Sequence, residues 1–162
     1  MKTISWEEQK WKDKKTWQGF IDGSLCPMCE NNIYDEENEE SFLVKELKRS
    51  VARLPKNQNS YGWVVMILKR HAIELDELKP AELLEFWQEV ATVATALKKV
   101  HSAVKINYAI FGNHVPHVHC HLLVRTKDQD PSEPIKMDSA ERYLQETEYF
   151  KMISELRKAM NT

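Results

Sequence analysis

The chain has 162 residues, 42% hydrophobic and 30% charged, and its 23 basic side chains nearly cancel its 25 acidic ones. That length supports one domain with a real core and is short for two. A formal charge of −2 argues against a protein that lives on nucleic acid through a broad basic surface.

No stretch approaches the roughly 18 apolar residues of a membrane helix. The charged start, Met1 to Lys15, lacks the apolar core of a secretion signal. Three cysteines, Cys26, Cys29 and Cys120, do not make a secreted disulfide framework, so a reducing, cytoplasmic setting is expected.

In chain order, residues 5–20 read as a helix that offers Trp6, Trp17 and Phe20 to a core and ends at Gly23. Cys26-Pro27-Met28-Cys29 and an acidic, Asn-rich loop to Glu40 follow. Residues 41–47 and 50–56 read as short strands. The unbroken apolar run Trp63-Val64-Val65-Met66-Ile67-Leu68 suits a strand buried on both faces, and it leads into Lys69-Arg70-His71.

Residues 80–100 form the clearest helix. Pro80 suits its first turn, and Leu83, Trp87, Val90, Ala94 and Leu97 recur at helical spacing, with Leu84 and Ala91 widening the stripe. Strands are expected at 104–111 and 117–125, around a turn at Gly112-Asn113-His114. A last helix, 138–161, is expected to open on an Asp138/Glu141 capping box and to turn Tyr149, Phe150, Ile153, Leu156 and Met160 inward. The fold class expected is α+β: an antiparallel sheet with one long helix, plus N- and C-terminal helices, in a single domain with its core over about 26–125.

Four of the six histidines fall between 114 and 121. On a strand, side chains two residues apart share a face, at a step of about 6.6 Å. His117, His119 and His121 then line one face of the expected strand, while Val118, Cys120 and Leu122 line the other. Burying three neighbouring imidazoles as packing would demand a hydrogen-bond partner for each, so a functional row is expected. It could clamp a metal, since catalytic zinc sites often use three protein ligands. It could equally attack phosphorus, because an imidazole with a pKa of about 6.5 is largely neutral at cell pH.

His117-Val118-His119-Cys120-His121-Leu122-Leu123 resembles the signature of the histidine-triad family, His-x-His-x-His followed by two apolar residues. The likeness runs back through Gly112-Asn113-His114-Val115-Pro116 and Lys105-Ile106-Asn107-Tyr108 to His71. It implies an antiparallel sheet with a helix, usually in a homodimer, and transfer or hydrolysis of nucleoside monophosphates from polyphosphates, phosphoramidates or nucleotide sugars. By that resemblance His119 is the nucleophile, His121 contacts phosphate, His117 completes the triad, and Asn107, Asn113 and His114 stand near the substrate. The family usually ends an earlier strand with an acid that grips the ribose hydroxyls. This chain reads Arg53-Leu54-Pro55-Lys56 there.

Cys26 and Cys29 have the spacing of half a zinc knuckle. With no second Cys-x-x-Cys, histidines must complete any four-ligand site. A redox dithiol and two incidental cysteines are the competing readings. The resemblance implies a structural zinc on Cys26, Cys29, His71 and His117, which leaves His119 free.

The function expected is that of a nucleotide hydrolase or nucleotidyl transferase cleaving a phosphoanhydride or phosphoramidate through a nucleotidyl-histidine on His119. It needs no organic cofactor, nucleic acid or membrane. A non-catalytic nucleotide-binding or adaptor protein is the alternative, and the missing ribose carboxylate favours it. A metallohydrolase liganded by the whole triad would need a general base, and no carboxylate near the triad offers one.

Overall fold

The computed structural model describes residues 13–30, 32–134 and 140–161. Its β-rich runs fold as β1 (Ser41–Glu46), β2 (Ser50–Pro55), β3 (Val64–Leu68), β4 (Lys105–Ala109) and β5 (His119–Arg125). They form one antiparallel sheet in the order β1-β2-β3-β5-β4. Among the described residues three α-helices accompany it: α1 (Lys14–Ile21), α2 (Pro80–His101) and α3 (Glu146–Met160). The fold is α+β, as expected.

All five residues of β3 are buried because both faces of the sheet are covered there. Val64, Met66 and Leu68 join the main core under α2 and α3, with Val44, Ala52, Leu54, Val118, Cys120, Leu122 and Val124. Val65 and Ile67 point the other way, into a smaller cluster with Ile33 and Val51 that Met28, Leu43 and Trp63 border. Each fully buried aliphatic side chain contributes about 1.5–3 kcal/mol, so the helices packed on one face supply most of the sheet's stabilisation, and the smaller cluster covers part of the other face.

α2 starts on Pro80, whose missing N–H costs nothing in a first turn, and stops at Ser102, which turns left-handed at φ 50°. Its buried stripe is Phe86, Val90, Val93, Ala94 and Leu97. This corrects the expected face: Leu83 and Trp87 sit at the core's margin, and Leu84 and Ala91 are exposed. Periodicity locates a stripe, but the packing partner decides which edge of it is central.

The C-terminal helix begins at Glu146, not at 138. Asp138 lies outside the described residues, and Glu141 lies in non-helical chain. Gln145 and Glu148 share the Asp138/Glu141 spacing and form the capping box. The backbone just before them is engaged elsewhere. The Gln58 N–H donates to the Arg142 carbonyl at 2.7 Å, and the Arg142 N–H donates to Asn57 Oδ1 at 3.1 Å. On α3, Tyr149, Met152, Ile153 and Leu156 are buried, while Phe150 is half exposed and only edges Phe42.

The N-terminal helix is seen from Lys14, with Asp13 as its cap accepting from the Lys15 N–H at 3.2 Å. Residues 5–12, Trp6 included, lie outside the described residues. The helix ends one residue beyond the expected Phe20, before Gly23, whose φ of +84° is a glycine conformation. Among the described residues no helix is long and apolar enough to cross a membrane.

Candidate functional site

The alternation expected of residues 118–122 is present. Val118, Cys120 and Leu122 enter the main core. On the opposite face, β3 sets Ile67 beside His119 and Val65 beside His121. Two rows therefore cross the sheet: Val51, Ile67, His119, and then Leu43, Arg53, Val65, His121, Ala109. The His119 and His121 rings meet edge to face at 4.9 Å.

His117 departs from that row. β5 begins at His119, two residues later than expected. The ladder half continues at Val118, which accepts from the Leu68 N–H of β3 at 3.0 Å while its own N–H turns to the Ala72 carbonyl at 2.7 Å. The buried His117 ring faces the cysteines instead, with Nδ1 3.4 Å from Cys26 Sγ and 3.6 Å from Cys29 Sγ. The triad thus has one ring at the cysteines and two side by side on the sheet face opposite the main core.

The tautomer of His119 follows from its partner. Its Nδ1 lies 2.6 Å from the His117 carbonyl oxygen, which can only accept, so Nδ1 carries the proton and Nε2 of the neutral ring keeps a lone pair. Burial pushes the His119 pKa down, opposed by the bond to the His117 carbonyl. His121 is pushed down to about 3, by burial first and by His119 second. Both rings are neutral near pH 7, as nucleophilic chemistry requires.

Cys26, Cys29, His71 and His117 bring one ligand atom each to within 4.8 Å of one another. His71 Nδ1 stands 3.2 Å from Cys29 Sγ. Tetrahedral zinc, with its usual bond lengths, spaces sulfur and nitrogen ligands about 3.6 Å apart. Each ring also has its Nε2 on a backbone carbonyl: His71 on Ile21 at 2.9 Å, and His117 on Leu68 at 2.7 Å. Those bonds leave both Nδ1 lone pairs aimed at the cysteines, an orientation that ligating histidines need. Burial lifts the Cys29 thiol to about 12, with Cys26 adding to the shift. A divalent cation reverses that preference by stabilising the thiolates. These four residues fit a metal ion, and all three cysteines are unpaired thiols.

Asn107 lies on β4 opposite Leu123, on the same sheet face as Ala109 and His121. Asn113 and His114 are exposed in the loop that leads to Pro116. Arg53 is 1% exposed and points inward: it donates to Ser41 Oγ (2.7 Å) and to the carbonyls of Ile33 (2.6 Å), Asp35 (2.8 Å) and Ser41 (2.8 Å). It holds the 33–41 loop. A cavity of about 710 Å³ lies at the far end of β5 between Tyr61, His101, Arg125 and Arg142, and no triad residue lines it.

Sequence reasoning missed Trp63, Gln58 and Ile33. Trp63 reads as the start of a buried run, yet its indole lies against His121. Gln58, fully buried, and Ile33 come from loops whose composition carries no such signal. A cross-strand partner is visible only once β3 and β5 are aligned.

The HIT domain model matches residues 36–128. A bis(5'-nucleosyl)-tetraphosphatase [asymmetrical] of Schizosaccharomyces pombe is 37% identical over 71 residues, which is 41% of this chain. The match spans 39% of that relative's length. A histidine triad protein of Bradyrhizobium japonicum superposes with a TM-score of 0.68 at 28% identity, over 75% of this chain and 92% of that one. A Zn-bound histidine triad family protein of Mycobacterium smegmatis has the same fold, with a TM-score of 0.55 at 19% identity over 74% and 83% of the two chains. With its strand order, its histidine strand and more than half its length matched, this chain belongs to the HIT family.

Proposed function

We propose that the chain is a nucleotide hydrolase or nucleotidyl transferase in which His119 Nε2 attacks the phosphorus of a dinucleoside polyphosphate or a nucleoside phosphoramidate. One observation carries the reading: the His119 Nδ1–H is engaged at the His117 carbonyl, so the nitrogen on the other side of the ring is unprotonated. The tetraphosphatase name of the fission-yeast relative supports the substrate class.

In the first half-reaction the Nε2 lone pair forms an N–P bond as the bond from phosphorus to the leaving oxygen or nitrogen breaks. The leaving group departs with the electron pair, stabilised by a hydrogen bond from the His121 ring N–H; a phosphate leaves as its anion, and an amine nitrogen takes its proton from solvent as the bond breaks. In the second half-reaction a water oxygen bonds to phosphorus, the N–P bond breaks, and its electrons return to Nε2. The water's proton passes to solvent, and nucleoside monophosphate is released. A second acceptor hydroxyl or phosphate in place of water makes the same chemistry a transfer. The apolar shelf of Ile33, Val65 and Ile67 beside the two rings suits a base or ribose, with Asn107, Asn113 and His114 at the phosphate end.

Cys26, Cys29, His71 and His117 would hold a structural zinc. When bound, it supplies a cross-link between α1, the end of β3 and the approach to β5, which keeps the His117 carbonyl where His119 needs it. Reduced thiols at this centre suit a cytoplasmic location. A homodimer through β4 belongs to the same reading, because β4 ends the sheet and leaves Val104, Tyr108, Ile110 and Phe111 exposed. Sedimentation that shows only monomer at micromolar concentration would remove that part.

The decisive experiment is incubation with a panel of diadenosine polyphosphates and adenosine phosphoramidate. Release of adenosine monophosphate is expected. Tight nucleotide binding with no turnover across the panel would favour the alternative, a nucleotide-binding or adaptor protein. The specific observation behind that alternative is Arg53, turned inward where a ribose-gripping acid is expected.

A further inference from the structure

We infer that Trp63 is a positioning residue that holds His121 as the Nε2–H tautomer, so that His121 presents a proton rather than a lone pair to the substrate. The inference deepens the proposed nucleotidyl-transfer reading and rests on it for its consequence in catalysis.

The indole Nε1–H of Trp63 donates to His121 Nδ1 at 3.2 Å. An indole nitrogen can donate and never accept, so His121 Nδ1 must supply a lone pair. A neutral imidazole has one proton, and with Nδ1 occupied as acceptor that proton sits on Nε2. The two side-by-side histidines are thereby set in opposite senses. His119 has its proton on Nδ1, at the His117 carbonyl, and a free pair on Nε2. His121 has its pair on Nδ1, at Trp63, and its proton on Nε2. One ring is prepared to attack and its neighbour to donate a hydrogen bond to the leaving atom or a phosphate oxygen.

The support behind Trp63 suits such a role. Its backbone N–H donates to the Ser60 carbonyl at 3.0 Å, and its carbonyl accepts from Gln58 Nε2 at 3.1 Å. Gln58 is itself fully buried, and its Oε1 accepts from the Gly62 N–H at 2.9 Å. Gly62, at φ +84°, makes the left-handed turn that delivers Trp63 to the start of β3. The indole then packs beside the Ile33, Val51, Val65, Ile67 cluster, its ring 5.5 Å from that of His121. Phe111 closes the other side of His121 at 6.0 Å.

The test pairs a tautomer measurement with kinetics on the full-length, metal-bearing protein. Long-range ¹H–¹⁵N correlation spectra of the histidine rings near pH 7 should show His121 Nδ1 as the unprotonated nitrogen and Nε2 as the protonated one. In Trp63→Phe, which keeps an aromatic ring and loses the donor, the two tautomers should mix. kcat on a diadenosine polyphosphate should then fall about tenfold, with KM changed by less than about twofold. Trp63→His, which can again offer a ring N–H, should recover most of the loss. A wild-type His121 protonated on Nδ1 overturns the inference whatever the turnover, and so does a Trp63→Phe protein with unchanged tautomer and kcat. The wild-type spectrum decides the matter even where a variant fails to fold. Wild-type protein with the stated tautomer and no turnover on any substrate refutes the proposed reaction, not the positioning.

Discussion

The imidazole of His119 is tied through Nδ1 to the backbone carbonyl of His117, at 2.6 Å, while the His117 side chain belongs to the Cys26/Cys29 centre. One residue therefore serves two sites, its ring at the candidate metal centre and its carbonyl at the candidate nucleophile. Movement of the 117–118 backbone would reach His119 Nε2 directly.

His119→Ala should abolish release of nucleoside monophosphate, by about 10³-fold or more, with the protein still folded. Chromatographic assay of the products checks it. Turnover within about tenfold of wild type would remove His119 as nucleophile.

Purified protein should carry about one equivalent of zinc by elemental analysis, and Cys29→Ser should carry much less. Stripping the metal with a chelator should lower Tm by more than about 5 °C, because binding to the folded state alone adds its free energy to stability. Activity should survive brief chelation and decline with slow metal loss. Less than about a tenth of an equivalent in fresh protein would end the zinc reading.

Arg53→Met should destabilise the fold by about 3 kcal/mol, since it strips the donor from three backbone carbonyls and the Ser41 hydroxyl beneath the 33–41 loop. Urea unfolding measures it. A loss below about 0.5 kcal/mol would mean that water satisfies those acceptors at little cost.

Acid should destabilise the protein through His121. Burial depresses its folded pKa from 6.5 to about 3, so below pH 6.5 the unfolded chain takes up a proton that the folded one refuses. That contribution to stability is intact above pH 6.5 and is lost as pH falls toward 3, at up to about 1.4 kcal/mol per pH unit. Comparing urea unfolding of wild type and His121→Asn at pH 7 and pH 5 isolates the effect, because contributions common to both proteins cancel. Equal pH dependence in the two would show that His121 protonates freely in the fold.

Much of the sheet was legible because its periodicities are strong. The strands at 41–46, 50–55 and 64–68 and the helix from Pro80 lie within a residue or two of the pattern read from composition alone. Val118, Cys120 and Leu122 face the core as alternation requires. Boundaries set by long-range bonds were not legible. His117 left the strand for the cysteines, and the last helix waited for Gln145 because Arg142 had bonded to the 57–58 loop.

The sequence alone determined the α+β class and the alternating faces around residue 120, and by spacing and resemblance it singled out two cysteines and two histidines that could hold a metal ion. All of these rest on local chemistry or short periods. Tertiary structure decided how the histidines divide, which ring nitrogen carries each proton, and that Trp63 and Arg53 serve the site's framework. Those outcomes depend on which carbonyls, thiols and indoles arrive from strands and loops distant in the chain, and hydrogen bonds across such separations have no signature in any one segment.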